Sequence, residues 1–193
     1  MHTISGESRH EEVIRRSRFV GIATAVRTQA ESLAFYERVA DASATHNCWA
    51  WRINLQCRCN DDGEPSGTAG RPILNSIEGR ELDQVMVIVT RYYGGTKLGV
   101  GGLLRAYGGV AAKCLDGARR ELIVQWASCR VHFDYALSAT VHQLLDQFDC
   151  QKQDESFSGS GMSMSLRLPS DRLEGFGHAL ADISRGEARL ERL

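Results

Sequence analysis

Twenty residues near the middle of the chain concentrate glycine, aromatic and cationic side chains. The segment 90–109 holds seven glycines, three tyrosines, two arginines and one lysine. Glycine loses more backbone entropy on folding than any other residue, so such a cluster indicates positive φ angles or close backbone approach. An apolar run, Val85 to Val89, precedes the segment, and a helix-like run, Leu103 to Leu115, overlaps its end. This order predicts a strand, a glycine-rich turn and a helix N-terminus, which together can hold an anion.

The charge balance excludes a protein that is basic throughout. The 193 residues carry a formal net charge of −1 and are 42% hydrophobic, which suits one large or two small folded domains. Residues 1–127 hold 16 Lys and Arg against 14 Asp and Glu, whereas residues 128–193 hold 7 against 10. Any contact with a polyanion therefore depends on a local patch in the first part of the chain.

Targeting signals and a disulfide framework are not expected. No apolar run approaches the roughly 20 residues that span a bilayer, and the segment Met1 to Arg18 is polar and charged. The six cysteines are irregularly spaced in a chain long enough to build a core, which favours reduced thiols. These observations predict a cytoplasmic protein without a membrane partner.

Periodicity predicts an α+β first domain over residues 1–128. Thr28 is a candidate N-cap, with Glu31 three residues later completing a capping box. The predicted elements are β structure over 12–26, a helix from Thr28 to Ala44, a strand from Cys48 to Cys57, a loop from Asn60 to Pro72, a buried strand from Val85 to Val89 and a helix from Gly101 to Arg120.

A second domain is predicted over residues 129–193. The pattern alternates strand, helix, two strands, helix and strand, which is the ferredoxin-like order βαββαβ. The predicted elements are strands over Val131–Leu137, Cys150–Phe157, Met162–Leu168 and Ala188–Leu193, with helices over Ser138–Phe148 and Ser170–Ile183.

The glycine-rich segment is the first candidate site, for an anion or a nucleic acid. Its backbone N–H groups would receive phosphate, its cations would add charge-assisted bonds, and its tyrosines would stack on bases. Lys97 precedes Leu98, and Leu104 stands at the third glycine position, so neither the P-loop nor the dinucleotide motif fits. Tight packing of helix on sheet is the alternative. The candidate residues are Arg91, Tyr92, Tyr93, Gly94, Gly95, Lys97, Gly101, Gly102, Arg105 and Tyr107.

An acidic loop is the second candidate site. Three carboxylates within four residues would bind a divalent cation or act as acid and base. The EF-hand pattern is absent, and Ser66 lacks the context of a hydrolase nucleophile, so no metal site and no catalytic residue is assigned. A loop built on Asx turns is the alternative. The residues of this loop that we single out are Asp61, Asp62, Gly63, Glu64, Thr68 and Arg71.

Two short His/Cys motifs form a third candidate. His46 and Cys48, with Cys57 and Cys59, would ligate zinc, or His46 would activate Cys48. Zinc ligands more often come as Cys-x-x-Cys, so inert thiols are favoured.

Taken together, the two glycine-containing motifs resemble the IMPACT/YigZ family, in its bacterial two-domain branch. The resemblance covers residues 9–120 closely, and Ser17–Gly21 and His46-x-Cys48-x-Ala50 also match. It rests on two quoted segments: Asp61-Asp62-Gly63-Glu64-Pro65-x-Gly67-Thr68-Ala69-Gly70-x-Pro72-Ile73-Leu74 and Val89-Thr90-Arg91-Tyr92-Tyr93-Gly94-Gly95-x-x-Leu98-Gly99-x-Gly101-Gly102-Leu103-x-Arg105-Ala106-Tyr107.

The resemblance implies a fold and a range of functions. It implies that the first domain is similar to the second domain of ribosomal protein S five, and the second to domain V of elongation factor G. A non-enzymatic regulator of translation that binds RNA or the ribosome follows as the favoured hypothesis, with no cofactor. One alternative is a hydrolase or phosphate-handling enzyme using Asp61, Asp62 and Glu64. The other is a protein-interaction regulator of a translation factor.

Overall fold

A five-stranded antiparallel sheet organises the first part of the chain. The structure is a computed structural model that describes residues 1–193, and it divides into two units, Met1–Ile123 and Val124–Leu193. The strand order in this sheet is β2-β3-β6-β4-β5, and every neighbouring pair is antiparallel. The elements of the first unit are β1 (His2–Ser5), β2 (Ser8–Ile14), β3 (Ser17–Ala25), α1 (Gln29–Val39), β4 (His46–Ile53), β5 (Gln56–Asn60), α2 (Gly70–Glu78), β6 (Val85–Tyr92), α3 (Val100–Asp116) and β7 (Arg119–Leu122).

The central strand β6 separates two apolar clusters. Val85, Val87 and Val89 belong to the larger cluster, together with residues of α2 and α3. Met86 and Ile88 point to the other face, where Phe35 of α1 packs. The continuous apolar run therefore forms a strand that is covered on both faces, as the sequence predicts.

Two hairpin turns interrupt regions that the sequence presents as continuous β structure. Arg15 and Arg16 join β2 to β3 with φ of 45° and 69°. Asn54 and Leu55 join β4 to β5 with φ of 50° and 67°. Positive φ at both central residues is the geometry of a two-residue hairpin turn. The predicted single strand from Cys48 to Cys57 is therefore wrong, because Cys57 lies on β5.

Helix α1 begins where the sequence predicts and ends earlier. The Oγ1 of Thr28 accepts a hydrogen bond from the Glu31 N–H at 3.1 Å, and the Arg27 N–H donates to Glu31 Oε2 at 2.7 Å. The helix stops at Val39, because Ala40 adopts extended angles. The predicted N-cap is confirmed, and the predicted end at Ala44 is wrong.

Replacing Thr28 with alanine is expected to lower the free energy of unfolding by about 1 kcal/mol, because the first turn of α1 loses its capping acceptor. Urea titrations followed by circular dichroism measure this loss. The matched variant Thr28→Ser keeps the hydroxyl and should stay close to the wild-type protein. Equal losses in the alanine and serine variants would show that the cap contributes nothing.

The ends of the first unit meet in a small second sheet. Strand β1 pairs antiparallel with β7, with His2 opposite Leu122. Helix α3 ends at Asp116, so its predicted extension to Arg120 is wrong. Helix α2 occupies part of the segment expected to be a loop, and it begins at Gly70.

The second unit forms a four-stranded antiparallel sheet in the order β11-β8-β10-β9. Its apolar cluster includes Val131, Leu144, Met164 and Phe176. The elements are β8 (Trp126–Phe133), a short 3₁₀ helix (Tyr135–Leu137), α4 (Ser138–Gln147), β9 (Gln151–Ser158), β10 (Gly161–Pro169), a second 3₁₀ helix (Ser170–Arg172), α5 (Leu173–Ser184) and β11 (Arg189–Arg192).

The first strand of the second unit lies earlier than predicted. Trp126 pairs with Pro169, and Ser128 pairs with Arg167, so residues 126–128 belong to this sheet. The boundary placed at residue 128 thus falls inside β8. The strand cannot continue to Leu137, because the Asp134 carboxylate accepts the Ala136 N–H at 2.8 Å and caps a 3₁₀ turn. No helix in the structure is both long and apolar enough to cross a membrane.

Candidate functional site

The acidic loop and the glycine-rich segment meet at one cavity of about 530 Å³. Strand β4 begins at His46 directly opposite Arg91, near the end of β6, so these two side chains arrive at the same edge of the structure. Glu64 from the acidic loop and Lys97 from the glycine-rich segment complete the polar lining. The start of α3 contributes Gly99, Val100 and Leu103 to the wall, and the rest of the lining is Thr45, Pro65, Tyr93 and Leu98.

A buried ion pair joins the two motifs. The Nη1 of Arg91 donates to Glu64 Oε1 at 2.6 Å, and the Tyr107 hydroxyl donates to the same oxygen at 2.8 Å. Glu64 is 8% exposed and Arg91 is 5% exposed. A buried charge that loses its partner is strongly destabilising, so both charges depend on this contact. Arg91 therefore stabilises the fold, and its charge is neutralised by the Glu64 carboxylate.

Aromatic rings and a serine hold the Arg91 guanidinium. Its central carbon lies 5.6 Å from the ring centroid of Phe19 and 5.4 Å from that of Tyr93. The Nη2 donates to Ser17 Oγ at 3.3 Å. Its Nε is buried and has no hydrogen-bond acceptor in the protein. A buried donor without an acceptor is costly.

His46 links the acidic loop to the ion pair. Its Nδ1 lies 2.7 Å from the Asp62 carbonyl oxygen. A carbonyl oxygen only accepts hydrogen bonds, so Nδ1 carries the proton and Nε2 faces the cavity side. The Nε2 atom lies 3.8 Å from Glu64 Oε1. The ring nitrogens of His46 therefore face the acidic loop, through the Asp62 carbonyl and the Glu64 carboxylate.

Asp61 holds the acidic loop to the start of α2. Its Oδ1 accepts the N–H groups of Ala69 and Gly70 at 2.9 and 2.8 Å, and its Oδ2 accepts that of Gly67 at 2.8 Å. Burial alone would raise the pKa of this carboxyl, but the three N–H donors outweigh it and lower the pKa. Asp61 is thus a structural cap for the loop and the helix.

Asp62 is also committed to the backbone. Its Oδ2 accepts the Asn47 N–H at 2.6 Å, and its own N–H donates to Asn60 Oδ1 at 2.6 Å. Among the three acidic side chains of this loop, Glu64 alone lines the cavity. The expectation that Asp61, Asp62 and Glu64 act together as acid, base or metal ligands is therefore not supported by their geometry. The other predicted residues of this loop also have local structural contacts. Gly63 adopts a positive φ of 83°, and Thr68 Oγ1 donates to the Pro65 carbonyl at 2.6 Å. The Arg71 guanidinium lies 3.9 Å from the Glu78 carboxylate on α2.

Close backbone packing requires a glycine at position 94, the first glycine of the glycine-rich segment. A Cβ atom at Gly94 would lie 1.9 Å from the carbonyl oxygen of Arg16, so no larger residue fits. The Gly94 N–H donates to Ser17 Oγ at 3.3 Å. The segment is therefore docked on the β2–β3 hairpin turn, which carries the exposed side chains of Arg15 and Arg16.

The start of α3 presents unpaired backbone donors. Gly99 is the N-cap, with φ of 74°, and provides no side-chain acceptor. The first N–H groups of a helix have no partner within the helix, and those of Gly101 and Gly102 belong to this turn. Gly99 and Val100 line the cavity, so this positive helix end borders it.

The three tyrosines of the glycine-rich segment lie in different environments. Tyr107 is fully buried and packs edge-on against Phe19, so it cannot stack on a base. Tyr92 donates its hydroxyl to Asp41 at 2.6 Å. Tyr93 is 46% exposed and lines the cavity. Of the three, Tyr93 is the one whose exposed ring lines the cavity.

Two cations of the glycine-rich segment, Lys97 and Arg105, are exposed and form no ion pair. Lys97 lines the cavity, and Arg105 lies on the second turn of α3. Gly95 also turns with φ of 85° in the open stretch before Lys97. The structure therefore separates the predicted anion-binding residues into a buried structural set and an exposed set.

The His/Cys motifs do not converge on one site. Cys48 donates to the Asp61 carbonyl at 3.0 Å, and burial raises the pKa of its thiol to about 12. Cys57 and Cys59 lie exposed on the edge strand β5. A thiol with a raised pKa is a poor nucleophile, so activation of Cys48 by His46 is not supported.

Ser17 and His46 are the site residues that were outside the predicted anion-binding set. Both stand in the short segments Ser17–Gly21 and His46-x-Cys48-x-Ala50, which already carry the family resemblance. The contacts of Ser17 with Arg91 and of His46 with Glu64 join residues far apart in the chain. The family resemblance is therefore the sequence feature that points to these two residues.

Family models match both units of the chain. Residues 15–115 match the model described as Impact N-terminal domain. Residues 131–187 match the model described as Domain of unknown function (DUF1949).

Curated relatives match along most of the chain. An IMPACT family member of Thermus thermophilus is 41% identical over 93% of this chain and 99% of its own length. The Escherichia coli IMPACT family member YigZ is 33% identical over 93% of this chain and 91% of its own length. The human protein IMPACT is 43% identical, but over 33% of this chain and 21% of its own length.

Solved structures with the same fold include a hypothetical protein at 29% identity. It matches 100% of this chain and 96% of its own, with a TM-score of 0.72. A longer chain from Thermus thermophilus matches over 28% of its length, with a TM-score of 0.54 and 12% identity. The second likeness concerns the fold alone.

Proposed function

Because the chain belongs to the IMPACT family, we propose that it is a translation-associated, non-enzymatic protein that binds RNA, free or within the ribosome, at the cavity beside Lys97. The observation that supports this most is the arrangement of unpaired positive groups at the cavity. Lys97 and the N-terminus of α3 both border it. A helix N-terminus and a lysine together suit a phosphate group.

None of the nearby acidic residues presents a free carboxylate to this cavity. Glu64 is neutralised by Arg91, while Asp61 and Asp62 accept backbone N–H groups. Lys97 and Arg105 are exposed without acidic partners. The exposed surface of this segment therefore carries two cations without acidic partners, on a chain whose total charge is close to zero.

Base stacking would supplement the phosphate contacts. Tyr93 presents an exposed ring at the same cavity. Stacking of bases on aromatic side chains is tolerant of sequence and is common in single-stranded RNA recognition. We therefore expect binding with weak sequence preference and strong salt dependence.

The fold adds support by analogy. We infer that the first unit has the fold of the second domain of ribosomal protein S five. For the second unit, we infer a ferredoxin-like fold similar to that of elongation factor G domain V; its strand order, β11-β8-β10-β9, and its two helices support this inference. Both folds occur in proteins that contact ribosomal RNA, which agrees with a cytoplasmic site of action.

The alternative functions have less support from this geometry. The hydrolase alternative needs several carboxylates in one cavity, and two of the three are committed to backbone N–H groups. A docking surface for a translation factor would use the same exposed residues. It would differ from RNA binding by a weaker dependence on salt.

Combined replacement of Lys97 and Arg105 by alanine is expected to weaken binding of single-stranded RNA at least tenfold. The slope of log affinity against log salt should fall by about 1.4, because each lost phosphate contact on a single strand contributes about 0.7. Fluorescence anisotropy of a labelled oligonucleotide at several salt concentrations measures both quantities.

The matched control removes two cations at the other end of α3. Arg119→Ala with Arg120→Ala changes the charge equally but leaves the cavity intact. Equal losses in the two double variants would show nonspecific attraction and contradict the proposal. The proposal would also be contradicted if the Lys97→Ala/Arg105→Ala protein kept the salt dependence of the wild-type protein, both in binding free RNA and in co-sedimentation with ribosomes.

A further inference from the structure

A second cavity, of about 550 Å³, lies on the opposite face of the same sheet. Its floor is formed by Trp49 and Trp51 of β4, which belong to the apolar cluster on the α1 side. Tyr36 of α1 forms a wall, with its ring 6.4 Å from that of Trp49 between centroids. This aromatic cavity is separate from the cavity beside Lys97, because the two share no lining residue.

The aromatic cavity contains an indole donor without an acceptor. Trp51 is 3% exposed, yet its Nε1 forms no hydrogen bond with the protein. The fully buried side-chain atoms without a partner are limited to Arg52 Nε and Arg91 Nε, so the Trp51 Nε1 still reaches solvent. Trp51 is one of the residues that line the aromatic cavity. A ligand acceptor would satisfy this donor.

Three polar side chains line one edge of the aromatic cavity. Arg58 and Asn60 of β5 and Asp62 of the acidic loop line the cavity. The Asn60 Oδ1 accepts the Asp62 N–H, so its amide nitrogen remains as a donor. One Asp62 oxygen, Oδ2, is bonded to the Asn47 N–H, and Oδ1 remains as an acceptor. The edge therefore offers a donor, an acceptor and a cation.

We propose that this aromatic cavity binds a nucleobase. The partly exposed rings of Trp49 and Tyr36 supply a stacking surface that suits any base. An amide and a carboxylate match the mixed donors and acceptors on a base edge, and Arg58 suits the attached phosphate. A purely aliphatic ligand would leave the Trp51 donor and this polar edge without partners.

The base would come from a free nucleotide or from single-stranded RNA, and intrinsic fluorescence distinguishes these sources. The chain has three tryptophans, and Trp126→Phe leaves only the two of the cavity as reporters. In that background, adenosine and uridine monophosphates and short oligonucleotides of each base are titrated with excitation at the red edge of indole absorption. We expect saturable quenching. Saturation by monophosphates identifies a nucleotide site, and saturation only by oligonucleotides identifies a single-strand site.

Variants separate stacking from a merely structural role. Trp49→Ala should weaken binding at least tenfold, with Trp51 as the remaining reporter, whereas Trp49→Phe should retain most of the affinity. Arg58→Ala should weaken monophosphates more than the corresponding nucleosides, because it removes the phosphate contact alone. Circular dichroism confirms that each variant is folded.

The outcome is independent of the proposed RNA contact at Lys97. The Lys97→Ala/Arg105→Ala protein should show undiminished quenching by mononucleotides, or by oligonucleotides at low salt. Absence of saturable quenching by every mononucleotide and oligonucleotide would overturn the nucleobase proposal. Equal affinity with and without Trp49→Ala in the Trp126→Phe background would overturn it as well.

Discussion

Replacing Arg91 with alanine is expected to lower the free energy of unfolding of the first unit by about 3–5 kcal/mol. The change leaves Glu64 charged and buried without its cationic partner. It also removes the ring contacts with Phe19 and Tyr93 and a hydrogen bond to Ser17. Urea unfolding followed by tryptophan fluorescence in the Trp126→Phe background reports on the first unit alone.

A companion pair of variants tests the electrostatic cause. Arg91→Met with Glu64→Gln removes both charges and keeps an oxygen for the Tyr107 hydroxyl, so it should be more stable than Arg91→Ala. Arg105→Ala removes an exposed cation of the same segment and should change stability by less than about 0.5 kcal/mol. A loss in Arg91→Ala no greater than that in Arg105→Ala would contradict the structural role.

This role changes how RNA-binding variants should be chosen. Arg91 and Arg105 stand in the same sequence motif, and a motif alone gives them the same weight. Substituting Arg91 would reduce RNA binding through loss of the folded state. Lys97 and Arg105 are exposed, so their substitution tests contact with the ligand itself.

Replacing Asp61 with asparagine is expected to lower the free energy of unfolding by about 2–3 kcal/mol at neutral pH. The amide group would keep one acceptor oxygen for the N–H groups of Ala69 and Gly70. Its NH₂ would then oppose the Gly67 N–H, which now donates to Oδ2. The first turn of α2 and the acidic loop should both loosen.

The pH dependence of this effect has a definite sign. The folded protein lowers the pKa of Asp61 below its ordinary value of 3.8, so the carboxylate stabilises the fold above that pH. The contribution is lost as the pH falls through the folded-state pKa. Urea titrations at neutral pH and near pH 3 should therefore show a smaller difference between wild type and Asp61→Asn in acid.

Glu37→Gln provides the matched control. Glu37 is an exposed acid on α1 without an ion-pair partner, so its change to an amide should have little effect at either pH. A deficit in Asp61→Asn that stays constant with pH would show that the charge of Asp61 does not contribute.

The sequence predicted the elements whose signals are local. The cap of α1 at Thr28 depends on positions only three residues apart and was visible in the capping box. The buried strand β6 was indicated by its β-branched run. The hairpin turns were hidden because Arg15-Arg16 and Asn54-Leu55 adopt positive φ without glycine. Helix α2 was missed because its first residues, Gly70 to Pro72, are typical of loops.

The chemistry of the candidate site depended on contacts that no local pattern reveals. Glu64 and Arg91 are separated by 27 positions, and Ser17 and Arg91 by 74. Their residue types suggested binding and catalysis equally well. Only burial shows that the carboxylate and the guanidinium neutralise each other, and only exposure shows that Lys97 remains available.

The pairing of β1 with β7 has a consequence for biosynthesis. Because His2 lies opposite Leu122, β1 has no antiparallel partner strand until almost all of the first unit has been translated. Until then, its contacts are limited to elements translated earlier, such as the bridge from His2 to Leu82, in a nascent chain whose remaining elements can already collapse. Completion of this unit thus coincides with the emergence of Val124, the first residue of the second unit. We expect a translational pause that keeps β7 inside the ribosome to leave the N-terminus open to protease, whereas a pause after β7 has emerged should not.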